Sequence, residues 1–336
     1  MTAAVPSSAA PSPAVALWGT GGPAAAQAAA CAALGWEVRA VAAATRVAAQ
    51  PLAREFGATP ITAAEFAVGP HVDLVILTGG PVPGVRGHRD PGEISAVLDS
   101  GAHLVITPPM ADTLADADAI IGSARLASAR GQRVVFGDAV CAAPVVEQMF
   151  ARLPDLGADV THISSKAVQP APECDVPPLV HHGTHGVAAA LLAARLLGRG
   201  RPTAVSGERG PDGQVTDARL FFRAGDAIHV HASFGPPSGP AWDFQVAGPD
   251  QVLRVDLFPT PTLERNGTAL TPPRPSSTDP ATAFGFVPQL ERFWADVHAG
   301  RSPVLPLEFG RDVLEIVAAA HAYTGGAPVA LPITDR

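Results

Sequence analysis

Three observations predict an α/β chain with a dinucleotide-binding front half and an α+β back half. A short apolar run, Ala14 to Trp18, breaks at the glycine-rich turn Gly19-Thr20-Gly21-Gly22-Pro23-Ala24, and an alanine-rich helical stretch follows to Gly35. Apolar runs of strand length then alternate with helical segments up to about residue 140. Beyond that point the rhythm changes to period-two strands joined as hairpins, the mark of an open, mostly antiparallel sheet. The expected layout is a disordered extension over 1–13, a Rossmann domain over 14–140 and an α+β domain over 141–336.

Each element has its own local cause. In the turn, Gly19 permits the tight bend, Gly21 lets a pyrophosphate approach the backbone, and Ala24 keeps the helix close to the strand. Pro23 suits the first helical turn, where a missing N–H costs nothing. WEVRAVAAATR supplies a second strand, and VAAQPLAREFG a helix stopped by Gly57. A short link through Pro60 and Glu65 leads to VDLVILT, a continuous apolar run of the buried parallel kind. The stretch 79–92 is dense in Gly and Pro and long for a strand-to-helix loop. A helix over 93–100, the strand HLVIT, a helix from about Asp112 to Arg130 and the strand RVVFGD complete the first half.

In the second half ADVTHISSKAV alternates as a half-buried strand, and HHGTHGVAAALLAARLLG forms a largely apolar helix. VTDARLFFRA with DAIHVHASF, and AWDFQVAG with QVLRVDLF, read as hairpins. Helices over 284–299 and 307–322 and the strand PVALPI close the chain.

Composition bounds the function. The 336 residues are 47% hydrophobic and 16% charged, enough for two domains with their own cores. A net charge of −8 and no basic stripe argue against nucleic acid, and no uncharged run reaches membrane-spanning length. Three cysteines without CxxC spacing indicate neither a disulfide framework nor a zinc site, and point to a reducing, cytoplasmic setting. The opening MTAAVPSSAAPSP has no basic start or apolar core of signal-peptide length.

The phrases GTGGPA, PLAREFG, LDSGAHLVITPPMA, VHHGTHGVAAALLAARLLG and QLERFWADVHAGRSPVLPLEFGRDVLEIVAAA resemble the glucose–fructose oxidoreductase / inositol dehydrogenase (Gfo/Idh/MocA) family. The resemblance runs from Ala14 through nearly the whole chain. It implies a nicotinamide cofactor in the front half, a back-half sheet that shapes the substrate pocket and a homo-oligomer built through that sheet. Three positions depart from the family pattern. Pro108, in Thr107-Pro108-Pro109, stands where the family carries lysine in E-K-P. His181 stands at the aspartate of D-x-G-x-H, while its histidine survives as His185. The second strand ends Ala43-Ala44-Thr45-Arg46, without the usual acid for the adenosine ribose.

The last departure favours NADP over NAD, because an arginine pairs with a 2′-phosphate where an acid would accept from ribose hydroxyls. The cofactor would then lie on Gly19, Thr20, Gly21 and Gly22, with Thr45 and Arg46 at the adenosine end and Thr78, Gly79 and Pro108 toward the nicotinamide. Hydride transfer also needs a group that takes or gives the hydroxyl proton. His185 is the candidate, aided by His181 and by Lys166, the single lysine among 23 basic residues. Alternation puts Ser164 and Lys166 on one strand face, and Lys166 is expected to point into the cleft.

His181 and His185 are four apart, yet no third ligand is evident by spacing, so no metal is expected. His229 and His231 read as ordinary sheet-face residues. The expected activity is a nicotinamide-dependent oxidoreductase on a small polar carbonyl, alcohol or imine. Two rivals stand beside it: a non-redox enzyme (elimination, isomerisation or cyclisation) on the same fold, and a catalytically silent nucleotide-binding chain.

Overall fold

Strands apolar on both faces build the first sheet of the computed structural model, which describes residues 11–68, 71–78, 90–156, 160–170, 177–223, 227–235, 240–270 and 279–332 of the chain. Its strands are β1 (Ala14–Trp18), β2 (Glu37–Ala43), β3 (Thr59–Thr62), β4 (Leu74–Leu77), β5 (His103–Ile106) and β6 (Val134–Phe136). They run in the order β3-β2-β1-β4-β5-β6, every neighbouring pair parallel. Helices α1 (Gly22–Ala33), α2 (Arg46–Glu55), α3 (Pro91–Asp99) and α4 (Leu114–Ala129) lie between consecutive strands and cover both faces. Val15, Leu17, Leu74, Ile76 and Val105 face a core with α1 and α2, while Ala16, Trp18, Val75, Leu77 and Ile106 face a core with α3 and α4. The strand order reverses between β1 and β4, which opens the crevice where such sheets bind ligand. β3 was read in the sequence only as a link; Pro60 sits comfortably there because β3 is an edge strand.

Short helices α5 (Ala139–Ala142) and α6 (Pro144–Arg152) carry the chain to a nine-stranded sheet. Its strands are β7 (His162–Pro170), β8 (Ala204–Arg209), β9 (Val215–Phe221), β10 (Ala227–Gly235), β11 (Ala241–Ala247), β12 (Val252–Asp256), β13 (Thr262–Arg265), β14 (Thr268–Ala269) and β15 (Val329–Ala330). The order is β14-β13-β12-β11-β7-β10-β9-β8-β15. Both expected hairpins form, and β7 with β10 is the one parallel pair among the described strands of this second sheet.

Helices α7 (Pro178–His181) and α8 (Gly183–Leu196) lead across one face of this sheet, with α11 (Leu307–Ala322) beside α8. Ser165 on β7 is buried, and its Oγ lies where a side chain at Gly186 of α8 would begin. Apolar residues of the sheet such as Leu220, Val230 and Val255 lie on this covered side and are fully buried. The other face carries Asp217, His229, His231, Lys166, Asp243 and Arg254, so it is polar rather than apolar.

Two elements tie the halves together. α9 (Pro280–Ala283) and α10 (Phe286–Ala299) return to the first sheet, where Ala281, Leu290 and Phe293 share the core of β1 and α1. A boundary at residue 140 therefore separates the two sheets but not the layers that cover them. The indole of Trp294 donates to the Pro11 carbonyl at 2.8 Å, so the extension is anchored by Pro11. α11 stands between the sheets, and its Arg311 binds Asp118 of α4 at 2.6 Å. Its Asp312 accepts from Arg195 of α8 at 2.5 Å and from Arg201 at 2.7 Å.

Candidate active site

The glycine turn needs its glycine at one position above all. Gly19 has φ +131°, and a side chain there would run into the carbonyl and hydroxyl oxygens of Thr78 at the end of β4. Backbone bonds close the turn onto both neighbours: Gly19 N–H donates to Ala42 O at 2.9 Å and Thr78 N–H to Trp18 O at 2.8 Å. The Thr78 hydroxyl, itself buried, donates to Trp18 O at 3.1 Å. Gly21 caps α1 without a side-chain hydrogen bond, no acid occupies the first helical turn, and nothing lies within 4 Å of a side chain built at Gly22. Thr20 is half-buried beside it, and Gly21 and Gly22 are exposed. The start of α1 thus offers an exposed Gly21-Gly22 backbone with no side-chain cap and no acid, and the positive end of the helix dipole behind it, an environment that suits a pyrophosphate. Gly79 lies outside the described residues.

Past the turn, Thr45 is the cap of α2 and accepts from Ala48 N–H at 3.2 Å. Arg46 follows, but its guanidinium is not free. Its Nε donates to Glu65 Oε2 at 3.0 Å and its Nη2 to Glu65 Oε1. The Arg46 hydrogen bond and those from Thr62 hold the Glu65 carboxyl down to about 2. The arginine read in the sequence as available for a phosphate is held instead by an acid from beyond β3.

The proton-handling group is assembled across the two halves. Asp138 follows β6 and caps α5, its Oδ1 accepting from Val140 N–H at 3.0 Å and from Cys141 N–H at 3.4 Å. His185, in the first turn of α8, brings Nδ1 to 3.2 and 3.1 Å from the two Asp138 oxygens. The Asp138 carboxylate is wholly buried, whereas the His185 side chain keeps 30% of its surface. Burial opposes a charge on His185, but the Asp138 charge and hydrogen bond outweigh it and hold the imidazole above its usual range. With Nδ1 turned to the carboxylate, Nε2 is left as the proton-exchanging atom. Asp138 was missed in the sequence, where RVVFGD read only as a strand with its end. On the α10 side of Asp138 lies a cavity of about 60 Å³, lined also by Phe136, Cys141 and Gln289. That is room for water beside a Gln289 amide with no protein partner.

The remaining expected residues fall differently. The helical stretch breaks at His182, which separates α7 from α8, so His181 and His185 do not share one continuous helix. His181 is half-buried against Phe234, at 6.0 Å between ring centres, and burial and the neighbouring His185 lower its basicity. His182 is 2% exposed, and burial with the adjacent His181 pushes it down to about 4.

Pro108 stands at the end of β5 with no N–H and no charge to offer. Lys166 is exposed, and its register partners are His231 and Asp243. Because Ser165 faces α8, alternation turns Lys166 to the opposite face, so the expectation that it enters the cleft is corrected. His229 Nε2 and His231 Nδ1 each lie 2.9 Å from Asp217 Oδ1 on that same face. Glu173 and Asp175, the acids nearest to His181 in the sequence, lie outside the described residues.

No family model matches the sequence, and no curated protein does. Solved structures match along almost the whole chain. GenD2 from gentamicin A biosynthesis, solved in complex with NAD, is 18% identical with a TM-score of 0.75, over 96% of this chain and 97% of that one. Myo-inositol 2-dehydrogenase from Lactobacillus plantarum is 16% identical with a TM-score of 0.72, over 93% and 97%. Aldose-aldose oxidoreductase from Caulobacter crescentus, complexed with glycerol, is 19% identical with a TM-score of 0.75, over 96% and 100%. Likeness at this identity establishes a shared fold: a parallel nucleotide-binding-type sheet followed by a mostly antiparallel one.

Proposed function

We propose that the chain is a nicotinamide-dependent oxidoreductase of the glucose–fructose oxidoreductase / inositol dehydrogenase type, acting on a small polar carbonyl, alcohol or imine. The observation that carries this reading is the His185–Asp138 pair at the end of β6, on the edge of the sheet where the glycine turn also opens. The residues present fit a dinucleotide. Gly19, Thr20, Gly21 and Gly22 would hold the pyrophosphate on the uncapped start of α1, and Thr78, with Gly79 and Pro108 beyond, would border the nicotinamide. Thr45 and Arg46 would border the adenosine, where the choice between NAD and the sequence-favoured NADP is made. When bound, the dinucleotide supplies the hydride acceptor or donor.

The chain's own part is proton transfer and orientation. Asp138 fixes the Nδ1–H tautomer of His185 and stabilises the imidazolium. His185 Nε2 takes the hydroxyl proton as substrate is oxidised and returns it on reduction. His181, whose basicity burial and His185 lower, would serve as a neutral hydrogen-bonding partner of a substrate oxygen. Lys166 has no part in this scheme, since it faces away. We further propose a homo-oligomer through the outer face of the nine-stranded sheet, held by its charged groups.

The test is titration with NADH followed by nicotinamide fluorescence, then turnover across small polyols and their ketones. His185→Asn should keep dinucleotide affinity and lose about 10²- to 10⁴-fold in kcat. Absence of binding sinks the reading. A second reading has one observation in its favour: Pro108 supplies no positive charge for a developing alkoxide. Binding with no change in nicotinamide oxidation state during product formation would favour elimination or isomerisation by the same histidine.

A further inference from the structure

We infer that Glu65 sets which dinucleotide the crevice accepts: by holding Arg46 as its counter-ion it turns the adenosine end toward NAD and away from a 2′-phosphorylated cofactor. This rests on the dinucleotide reading above. Arg46 opens α2 immediately beyond β2, and Gly19 N–H is bonded to Ala42 near the end of β2. The Arg46–Glu65 pair thus sits beside the glycine turn, at the end of the second strand, where this class of sheet places the adenosine ribose.

The acid is the fixed member of the pair. Glu65 Oε2 accepts from Thr62 N–H at 2.7 Å and from the Thr62 hydroxyl at 3.0 Å before it meets Arg46. Its side chain is 30% exposed against 64% for Arg46, which reaches over to it with two guanidinium nitrogens. A free guanidinium would attract a phosphate dianion. A guanidinium already paired at two points is electrically neutralised, and an incoming phosphate would meet the carboxylate as well. With its carboxyl held down to about 2, Glu65 stays ionised at any pH at which the cofactor binds. A ribose 2′-hydroxyl has the opposite preference, since it can donate to a carboxylate. The acid missing from the end of β2 is supplied by the segment after β3.

An exposed pair of this kind contributes little to stability, which separates a selective role from a merely structural one. The experiment compares the unmodified full chain with E65Q, R46A and the double variant, measuring dissociation constants for NADH and NADPH by nicotinamide fluorescence and the melting temperature of each. The unmodified chain should bind NADH more tightly than NADPH. E65Q should move that ratio roughly tenfold toward NADPH with little change in melting temperature. R46A alone should leave the ratio near its original value, and R46A added to E65Q should cancel the gain. If E65Q does not fold, Thr62→Val, which removes one anchor of the acid, should move the ratio in the same direction by less. An unmoved ratio in both, or a selective loss of NADPH affinity in R46A alone, overturns the role given to Glu65. Failure of every protein to bind either dinucleotide overturns the cofactor reading itself.

Discussion

At the scale of single residues, the Asp138–His185 pair makes a prediction with a definite sign. A proton-accepting histidine must be neutral, and Asp138 raises the pH at which it becomes so. The acid limb of kcat/KM for the oxidation direction should therefore lie above about 6.5, the ordinary histidine value. Asp138→Asn should shift that limb to lower pH and reduce kcat, because the tautomer is no longer fixed. A limb that stays in place in the variant would remove Asp138 from the mechanism. Half of this pair was legible in the sequence. His185 stands in a recognisable phrase, whereas Asp138 ends an apolar run and meets its partner 47 positions later only once the halves have closed. Glu65 was hidden for a similar reason: its target, Arg46, is 19 residues upstream and on a neighbouring strand's connection. Lys166 misled because its rarity drew notice while its strand phase, set by Ser165 beneath α8, was unknown. Gly19 is the opposite case, fully readable, and Gly19→Ala should both strain the backbone by about 1–3 kcal/mol and displace Thr78. Lowered dinucleotide affinity together with a lowered melting temperature is the expected result.

At the scale of elements, the break between α7 and α8 gives the region two histidines that respond oppositely to pH. His185 has a raised folded-state value, so the stability it contributes is complete below about 6.5 and fades as pH rises through that value. His182 is depressed to about 4, so its contribution is present above about 6.5 and is lost as pH falls toward 4. A shift of that size corresponds to something on the order of 3 kcal/mol. His182→Phe should flatten the acid side of the stability profile in urea unfolding between pH 4 and about 6.5, and an unchanged acid slope would contradict the burial argument. The ion pairs of α11 behave differently. Asp312 is 11% exposed and binds two partly exposed arginines, of which Arg201 also pairs with Glu315, so Asp312→Ala removes two charge-assisted bonds and should cost about 1–3 kcal/mol. The helix itself was plain in the sequence, but its buried charged face was not, because 3.6-residue periodicity marks apolar stripes and is silent on ions that find partners.

At the scale of the whole molecule, the polar outer face of the second sheet changes the kind of association to expect. Asp217 gathers His229 and His231, Asp243 binds Arg254, and Lys166 lies between these groups in register with His231 and Asp243. An oligomer through this face should weaken as ionic strength rises, since exposed charges are screened within about 8 Å at physiological salt. Light scattering across a salt series reads this directly, and a salt-independent oligomer would place the interface elsewhere. The alternation of strands and helices made the two sheets and their order of appearance legible. It did not reveal that the chain comes back, because the helix that covers α1 is separated from it by all of β7 to β14.

That return has a consequence for how the protein is made. β1 and α1 leave the ribosome well before Leu290 and Phe293, which complete their core. Until then the nascent chain carries an uncovered apolar surface on α1, a natural landing place for a holdase chaperone and a hazard for aggregation. A fragment ending at residue 156 should therefore yield a loosely packed species that binds ANS, even though it holds every strand of the first sheet. Supplying residues 279–332 in trans should reduce that dye binding if the missing cover is the reason.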